Sequence, residues 1–301
     1  MPKFQPDAFH GIHAILYALF DGNERLDRAA MRRQVEICLA SGVHGMAALG
    51  LATEVAKLTE AERRTVMDWT AQDTAGKVPL AFTIFGSSVA EQVAQVRHAE
   101  SIGADWVILQ PPPGGSYGAP EYIRFFGRVA GATDLPVAIQ NAPAFFGRGL
   151  SSDEIRDLVT LHPNIRLIKG EGPVADIAGL IERTEGRLPV FNGRGGLELI
   201  DNFRIGCRGM ILAPDSIDHA VQAYEAFRAG DEAAAETHYE KMLPAAVFVM
   251  QGIENLICYG KRLFGARADI AIHDRAPAMR PNETGLAMVR RFADRLGKLP
   301  G

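Results

Sequence analysis

Along the chain, short apolar runs alternate with longer segments whose apolar residues recur at helical spacing, and each run ends in Gly, Pro or polar residues. The runs predict strands over 11–19, 43–50, 79–85, 105–110, 135–141, 165–169, 188–192 and 209–213. Their starts fall about 20 to 36 residues apart, enough for a strand, a helix and two short loops. Runs such as DWVILQ, LPVAIQ and IRLIK are nearly continuous in apolar residues, as parallel strands covered on both faces require. The intervening helices announce their starts. Thr59 with Glu62, Ser88 with Glu91 and Ser151 with Glu154 each fit a capping box, in which hydroxyl and carboxylate satisfy opposing backbone donors.

Eight such units in 301 residues predict a closed (β/α)8 barrel rather than an open doubly wound sheet. A dinucleotide-binding sheet would place G-x-G-x-x-G after its first strand. Here Asp21, Gly22 and Asn23 stand there, and the run Gly193-Arg194-Gly195-Gly196 lacks the spacing. From Ser216 onward the chain is Ala-rich and helical, with a break expected at Gly230 and a last amphipathic segment through Leu286, Val289, Phe292 and Leu296. The predicted organisation is a barrel over 1–215 and a helical region over 216–301 packed on it.

Composition narrows the partners. With 47% apolar and 23% charged residues the chain is ordinary globular material, and a net charge of −4 offers no general attraction to nucleic acid or an anionic membrane. No apolar stretch reaches the roughly 18 residues of a membrane span. The first twenty residues lack a small-residue cleavage site, so no signal peptide is expected. Cys38, Cys207 and Cys258 are widely separated, which argues against a disulfide framework or zinc knuckle and for a cytoplasmic setting.

Barrel chemistry sits at the C-terminal strand ends, and that rule ranks the candidates. Lys169 closes the run Ile165-Arg166-Leu167-Ile168 and is placed to face the barrel mouth, where burial would favour the neutral amine that a Schiff base needs. The alternative is a solvated lysine at a strand end. Glu171 is an acid/base candidate or a carboxylate merely holding the lysine. Glu54, after the second strand, either orients a loop and acts on substrate or caps amides. Gln140 and Asn141 end the fifth strand, as substrate donors or structural amides. His10 and His13 have no pattern that completes a metal site and are expected in the core or rim, so no metal is predicted. Residues 111–115 read as a stiff turn and a flexible loop without a reactive group, and no G-x-S-x-G elbow is present.

At these residues the chain resembles the dihydrodipicolinate synthase and N-acetylneuraminate lyase superfamily of Schiff-base enzymes. The resemblance rests on GLATEVAKLTEAER, PVAIQNAP, IRLIKGEGP and GCRGMI and spans nearly the whole length. It implies a barrel with C-terminal helices, Lys169 as the imine-forming lysine, a covalent intermediate in place of any cofactor, and a homotetramer or dimer. It also implies a substrate pocket of Gly50, Leu51, Ala52, Thr53, Glu54, Asn141, Arg194 and Ile211, with backbone amides around Ala52 and Thr53 holding a carboxylate. The threonines and tyrosines that relay protons in the synthase are replaced by Leu51, Ala52, Gln140 and Pro113, and the arginine after the fifth strand matches Arg148 only across an insertion at Phe145 and Phe146. Gln140-Asn141-Ala142-Pro143, Thr53 and the Lys169-x-Glu171 pattern are similar to the 2-keto-3-deoxy-L-arabonate dehydratase branch. The implied activity is dehydration of a 2-keto-3-deoxy sugar acid, with Lys169, Glu171 and Gln140 as the catalytic set. A pyruvate-releasing aldolase, a synthase-like condensation and a non-catalytic ligand-sensing barrel are the alternatives.

Overall fold

The computed structural model describes residues 3–115 and 117–301, which leaves Met1, Pro2 and Ser116 outside it. Eight parallel strands close in sequence order, β8 pairing back with β1. They are β1 (Gly11–Ile15), β2 (Gly45–Ala48), β3 (Leu80–Ile84), β4 (Trp106–Leu109), β5 (Val137–Asn141), β6 (Ile165–Gly170), β7 (Val190–Asn192) and β8 (Gly209–Leu212). Around them run α1 (Arg28–Ala40), α2 (Glu60–Thr74), α3 (Val89–Ser101), α4 (Ala119–Ala130), α6 (Ser152–Leu161), α7 (Val174–Arg183) and α8 (Leu199–Arg204), with the single turn α5 (Pro143–Phe146) inserted after β5. The chain continues into α9 (Ile217–Arg228), α10 (Glu232–Val249), α11 (Ile253–Asn255), a π-helical turn at Leu256–Gly260, α12 (Lys261–Ala268) and α13 (Glu283–Leu296). This is a (β/α)8 barrel with C-terminal helices, and every predicted run coincides with one of its strands, β6 extending one residue past its run to Gly170. Among the described residues no single helix is long and apolar enough to cross a membrane.

The first predicted strand is shorter than the apolar run. Beyond Ile15 the amide of Tyr17 donates to Gln34 Oε1 and that of Leu19 to Met31 Sδ, so the chain turns from the ladder onto α1 while staying buried. The capping boxes at Thr59 and Ser151 form in full. At Ser88 only half of one forms: its hydroxyl accepts from Glu91 N, whereas Glu91 reaches back to the amide and hydroxyl of Ser87. Gly230, at φ +80°, breaks the path between α9 and α10, as a left-handed glycine readily does.

Residues in parallel register share a face of the sheet, which identifies the side chains inside the barrel. His13 lies against Trp106 and Phe191 at ring separations of 5.8 and 4.9 Å. By register with His13 and Phe191, Ile211 and Lys169 also point inward, and Gln140 pairs with Lys169. The C-terminal helices lock onto the mouth through Arg267, whose guanidinium grips Asp218 at 2.6 Å and donates to the carbonyl oxygens of Asp215, Leu296 and Gly297.

His13 has a measurable consequence for stability. It is completely buried, neither ring nitrogen has a partner among the described residues, and loss of hydration pushes its pKa down to about 3. The folded state keeps the ring neutral, while the unfolded chain takes a proton once pH falls below about 6.5. Stability present at neutral pH is therefore lost progressively from about 6.5 down to about 3, up to ~5 kcal/mol for this one group. His13→Phe keeps the edge-to-face packing and removes the titration. Between pH 7 and 4.5 it is expected to lose about 2–3 kcal/mol less than the parent in urea unfolding, and equal losses would show that His13 does not govern the acid limb.

Candidate active site

At the C-terminal end of the barrel, β4, β5 and β6 place Gln110, Gln140 and Lys169 side by side. All three are buried, and a chain of polar contacts joins them. Gln110 Nε2 donates to Gln140 Oε1 at 2.8 Å, and Gln140 Nε2 donates to Glu171 Oε1. Lys169 Nζ lies 2.8 Å from the same Glu171 oxygen, with the side chains of Lys169 and Glu171 5% and 3% exposed. A buried ion pair is tolerated only where other hydrogen bonds complete it, and Gln140 supplies one here. The carboxylate also fixes the direction of the chain: it only accepts, so Gln140 must turn its NH2 toward Glu171 and its oxygen toward the NH2 of Gln110.

Gly193 completes the cradle. Its amide donates to Gly170 O at 2.8 Å, and a Cβ there would fall 2.8 Å from Lys169 Cε and 2.9 Å from Glu171 Cγ. The lysine can lie against β7 only because this position has no side chain. Gln110 and Gly193 were not singled out from the sequence. Each directly follows a strand, but their significance depends on neighbours far along the chain.

Beside this cluster opens a cavity of about 310 Å³, reached through Gln110 and walled by Leu51, Glu54, Lys57, Phe146 and Arg148, with Ile253 and Ile257 from the C-terminal helices. Leu51 opens a 3-10 turn over Leu51–Thr53 that follows Gly50, and it is the residue of that turn that lines the cavity. The Thr53 amide is engaged by Gly50 O at 3.0 Å and its hydroxyl donates to Leu16 O at 2.5 Å, so Thr53 builds the loop. The amides of Leu51 and Ala52 have no partner among the described residues, which moves the expected carboxylate donors one residue toward Leu51.

Three predicted binding residues are engaged by other groups of the protein. Glu54 sits in left-handed backbone with its carboxylate 2.6 Å from both Lys57 Nζ and Lys261 Nζ, tying the loop to α12 rather than reaching Lys169. Burial pushes the Lys261 amine below its ordinary value and the Glu54 charge opposes that shift. Asn141 points away from the site: its amide donates to Leu150 O at 2.9 Å and accepts from Leu150 N at 2.8 Å, closing the loop that carries α5. The alternation of side chains along a strand puts it on the opposite face from Gln140. Arg194 pairs with Glu198 at 2.6 Å on the following loop. Ile211 is buried in the inward layer, one strand from Gly193. No cluster of three potential metal ligands occurs among the described residues.

The arrangement supplies an amine, a proton acceptor in contact with it, an amide that orients the acceptor and an adjoining cavity. Comparison with known proteins points the same way. The chain matches the model of the dihydrodipicolinate synthetase family over residues 8–267. It is 31% identical over 239 residues to the 4-hydroxy-tetrahydrodipicolinate synthase of Methanoculleus marisnigri, covering 77% of this chain and 81% of the relative. It is 26% identical over 244 residues to an Escherichia coli K12 protein named "Putative 2-dehydro-3-deoxy-D-gluconate aldolase YagE", covering 79% and 81%. The crystal structure of YagE in complex with pyruvate shares the fold with a TM-score of 0.89 at 23% identity, over 96% of this chain and 98% of that one. On the family match and the level of identity, the chain belongs to the dihydrodipicolinate synthetase family.

Proposed function

We propose that the protein is a Schiff-base lyase acting on a 2-keto acid, and that its reaction is dehydration of a 2-keto-3-deoxy sugar acid. The observation that carries this reading is the buried contact between Lys169 Nζ and Glu171 at the barrel mouth, with Gln140 on the same carboxylate oxygen. Lys169 Nζ attacks the C2 carbonyl, two of its three ammonium protons leave with the carbonyl oxygen as water, and the product is an iminium conjugated to the substrate carboxylate. The iminium draws electrons from the C3–H bond. Glu171 removes that proton to leave an enamine, whose electrons expel the C4 hydroxyl, which takes up a proton and leaves as water; a proton then leaves C5 as one returns to C3, the resulting enol ketonises, and hydrolysis returns the dioxo acid and free Lys169. The Leu51 and Ala52 amides hold the substrate carboxylate, and the 310 Å³ cavity takes the remainder of the chain.

A second reading, aldol cleavage through the same imine, is favoured by the name of the Escherichia coli relative. Both share Lys169 and differ in the bond broken after the iminium forms. Incubation with 2-keto-3-deoxy-pentonates and -hexonates, followed by borohydride and mass analysis, is expected to add the substrate skeleton at Lys169 and to yield a dioxo acid without free aldehyde. Pyruvate plus an aldehyde would replace dehydration with cleavage. A keto-acid panel that left no adduct at Lys169 would remove the Schiff-base reading.

A further inference from the structure

We infer that Gln110 is a positioning residue for proton transfer at C3, acting through Gln140 on Glu171. The inference rests on the Schiff-base reading above and deepens it. Gln110 extends from the end of β4, 1% exposed, with its backbone held from both sides: its amide donates to Ile84 O at 3.1 Å, and its carbonyl accepts from Gln92 Nε2 at 3.0 Å. A side chain so anchored presents its NH2 to Gln140 Oε1 in a fixed place. Gln140 is an amide with two faces, and only one suits Glu171. With NH2 toward the carboxylate it donates; turned over, it would set carbonyl oxygen against carboxylate oxygen. Gln110 reinforces the choice the carboxylate makes, because a flipped Gln140 would also oppose its NH2 to that of Gln110.

The consequence is mechanistic. Gln140 and Lys169 both engage Glu171 Oε1. Once the amine has become an iminium it keeps one N–H of the three an ammonium carries, so Gln140 bears a larger share of holding the carboxylate beside C3. A base misplaced by a fraction of an ångström loses rate without losing the nucleophile. Gln110 therefore governs the step after imine formation and leaves imine formation alone.

Pyruvate separates the two steps, since its imine forms at Lys169 and its methyl protons exchange with deuterium only through the enamine. Gln110→Leu removes the donor, and Gln110→Glu sets a second acceptor against Gln140 Oε1, so the two variants perturb the relay by different means. Both are expected to show parent-like borohydride trapping, with half-saturating pyruvate within about twofold. The limiting rate of methyl exchange by proton NMR should fall roughly tenfold in Gln110→Leu and further in Gln110→Glu. Exchange within twofold of the parent in whichever variant traps normally would overturn the positioning role while leaving the Schiff base intact. A matched fall in trapping and exchange would reduce Gln110 to structural support and overturn it as well. Absence of trapping in the parent protein would instead remove the underlying reading, and the relay with it.

Discussion

Lys169→Met is expected to abolish the borohydride adduct and to lower turnover at least about 10³-fold, because no other amine among the described residues touches the Gln110–Gln140–Glu171 chain. Lys261, also buried, is occupied by Glu54 and belongs to the link between the loop and α12. The substitution also carries a stability signature that separates a chemical role from mere loss of fold. Methionine preserves the length of the side chain but strands the Glu171 carboxylate in a buried site with Gln140 alone. Breaking one side of a buried pair costs about 3–5 kcal/mol, whereas replacing both sides with neutral groups is nearly free. Lys169→Met should therefore melt well below the parent, and Lys169→Met/Glu171→Gln should recover most of that loss while remaining inactive. An adduct persisting in either variant would place the nucleophile elsewhere. A double variant no more stable than the single would mean that the pair is not the source of the destabilisation.

The barrel could be read from sequence because each strand is buried on both faces and so writes itself as a continuous apolar run, while the helices write 3.6-residue spacing and capping residues between them. Where the reading failed, a side chain from another element had intervened. Leu16–Leu19 are as apolar as a strand, yet Gln34 and Met31 of α1 take the amides of Tyr17 and Leu19. Glu91 is spaced for Ser88 and chooses Ser87. The site shows the same limit. Lys169 and Glu171 were visible because a charge closing an apolar run is locally conspicuous. Gln110 was not, since a glutamine before prolines looks like the start of a turn and its partner is 30 residues away on the neighbouring strand. Asn141 was assigned to the substrate beside Gln140, although adjacent strand residues face opposite ways; only register with Lys169 shows which of the two is inside. Arg194 and Glu54 carry charge near the mouth, but Glu198 in one case and two lysines in the other absorb it.

Glu171→Gln divides the reaction at its midpoint. The variant is nearly isosteric, so Gln140 and Lys169 keep a neighbour of the same shape, and no atom of the nucleophile changes. Pyruvate and 2-keto-3-deoxy acids are expected to condense with Lys169 and to be trapped by borohydride at the parent's stoichiometry. Turnover of the sugar acid and deuterium exchange into pyruvate should both fall by about 10²–10⁴-fold, the usual contribution of a positioned general base. Coincidence of the two losses is the informative part. Exchange reports removal of the C3 proton alone, whereas turnover requires water to leave C4 afterwards. If exchange is lost and turnover survives, the C4 bond breaks without the enamine that Glu171 generates. If both survive, another group takes the C3 proton and Glu171 serves only as the counter-charge of Lys169. Their common loss beside an intact adduct leaves a single role for this carboxylate: it takes the proton whose departure turns the covalently held keto acid into the electron source for elimination.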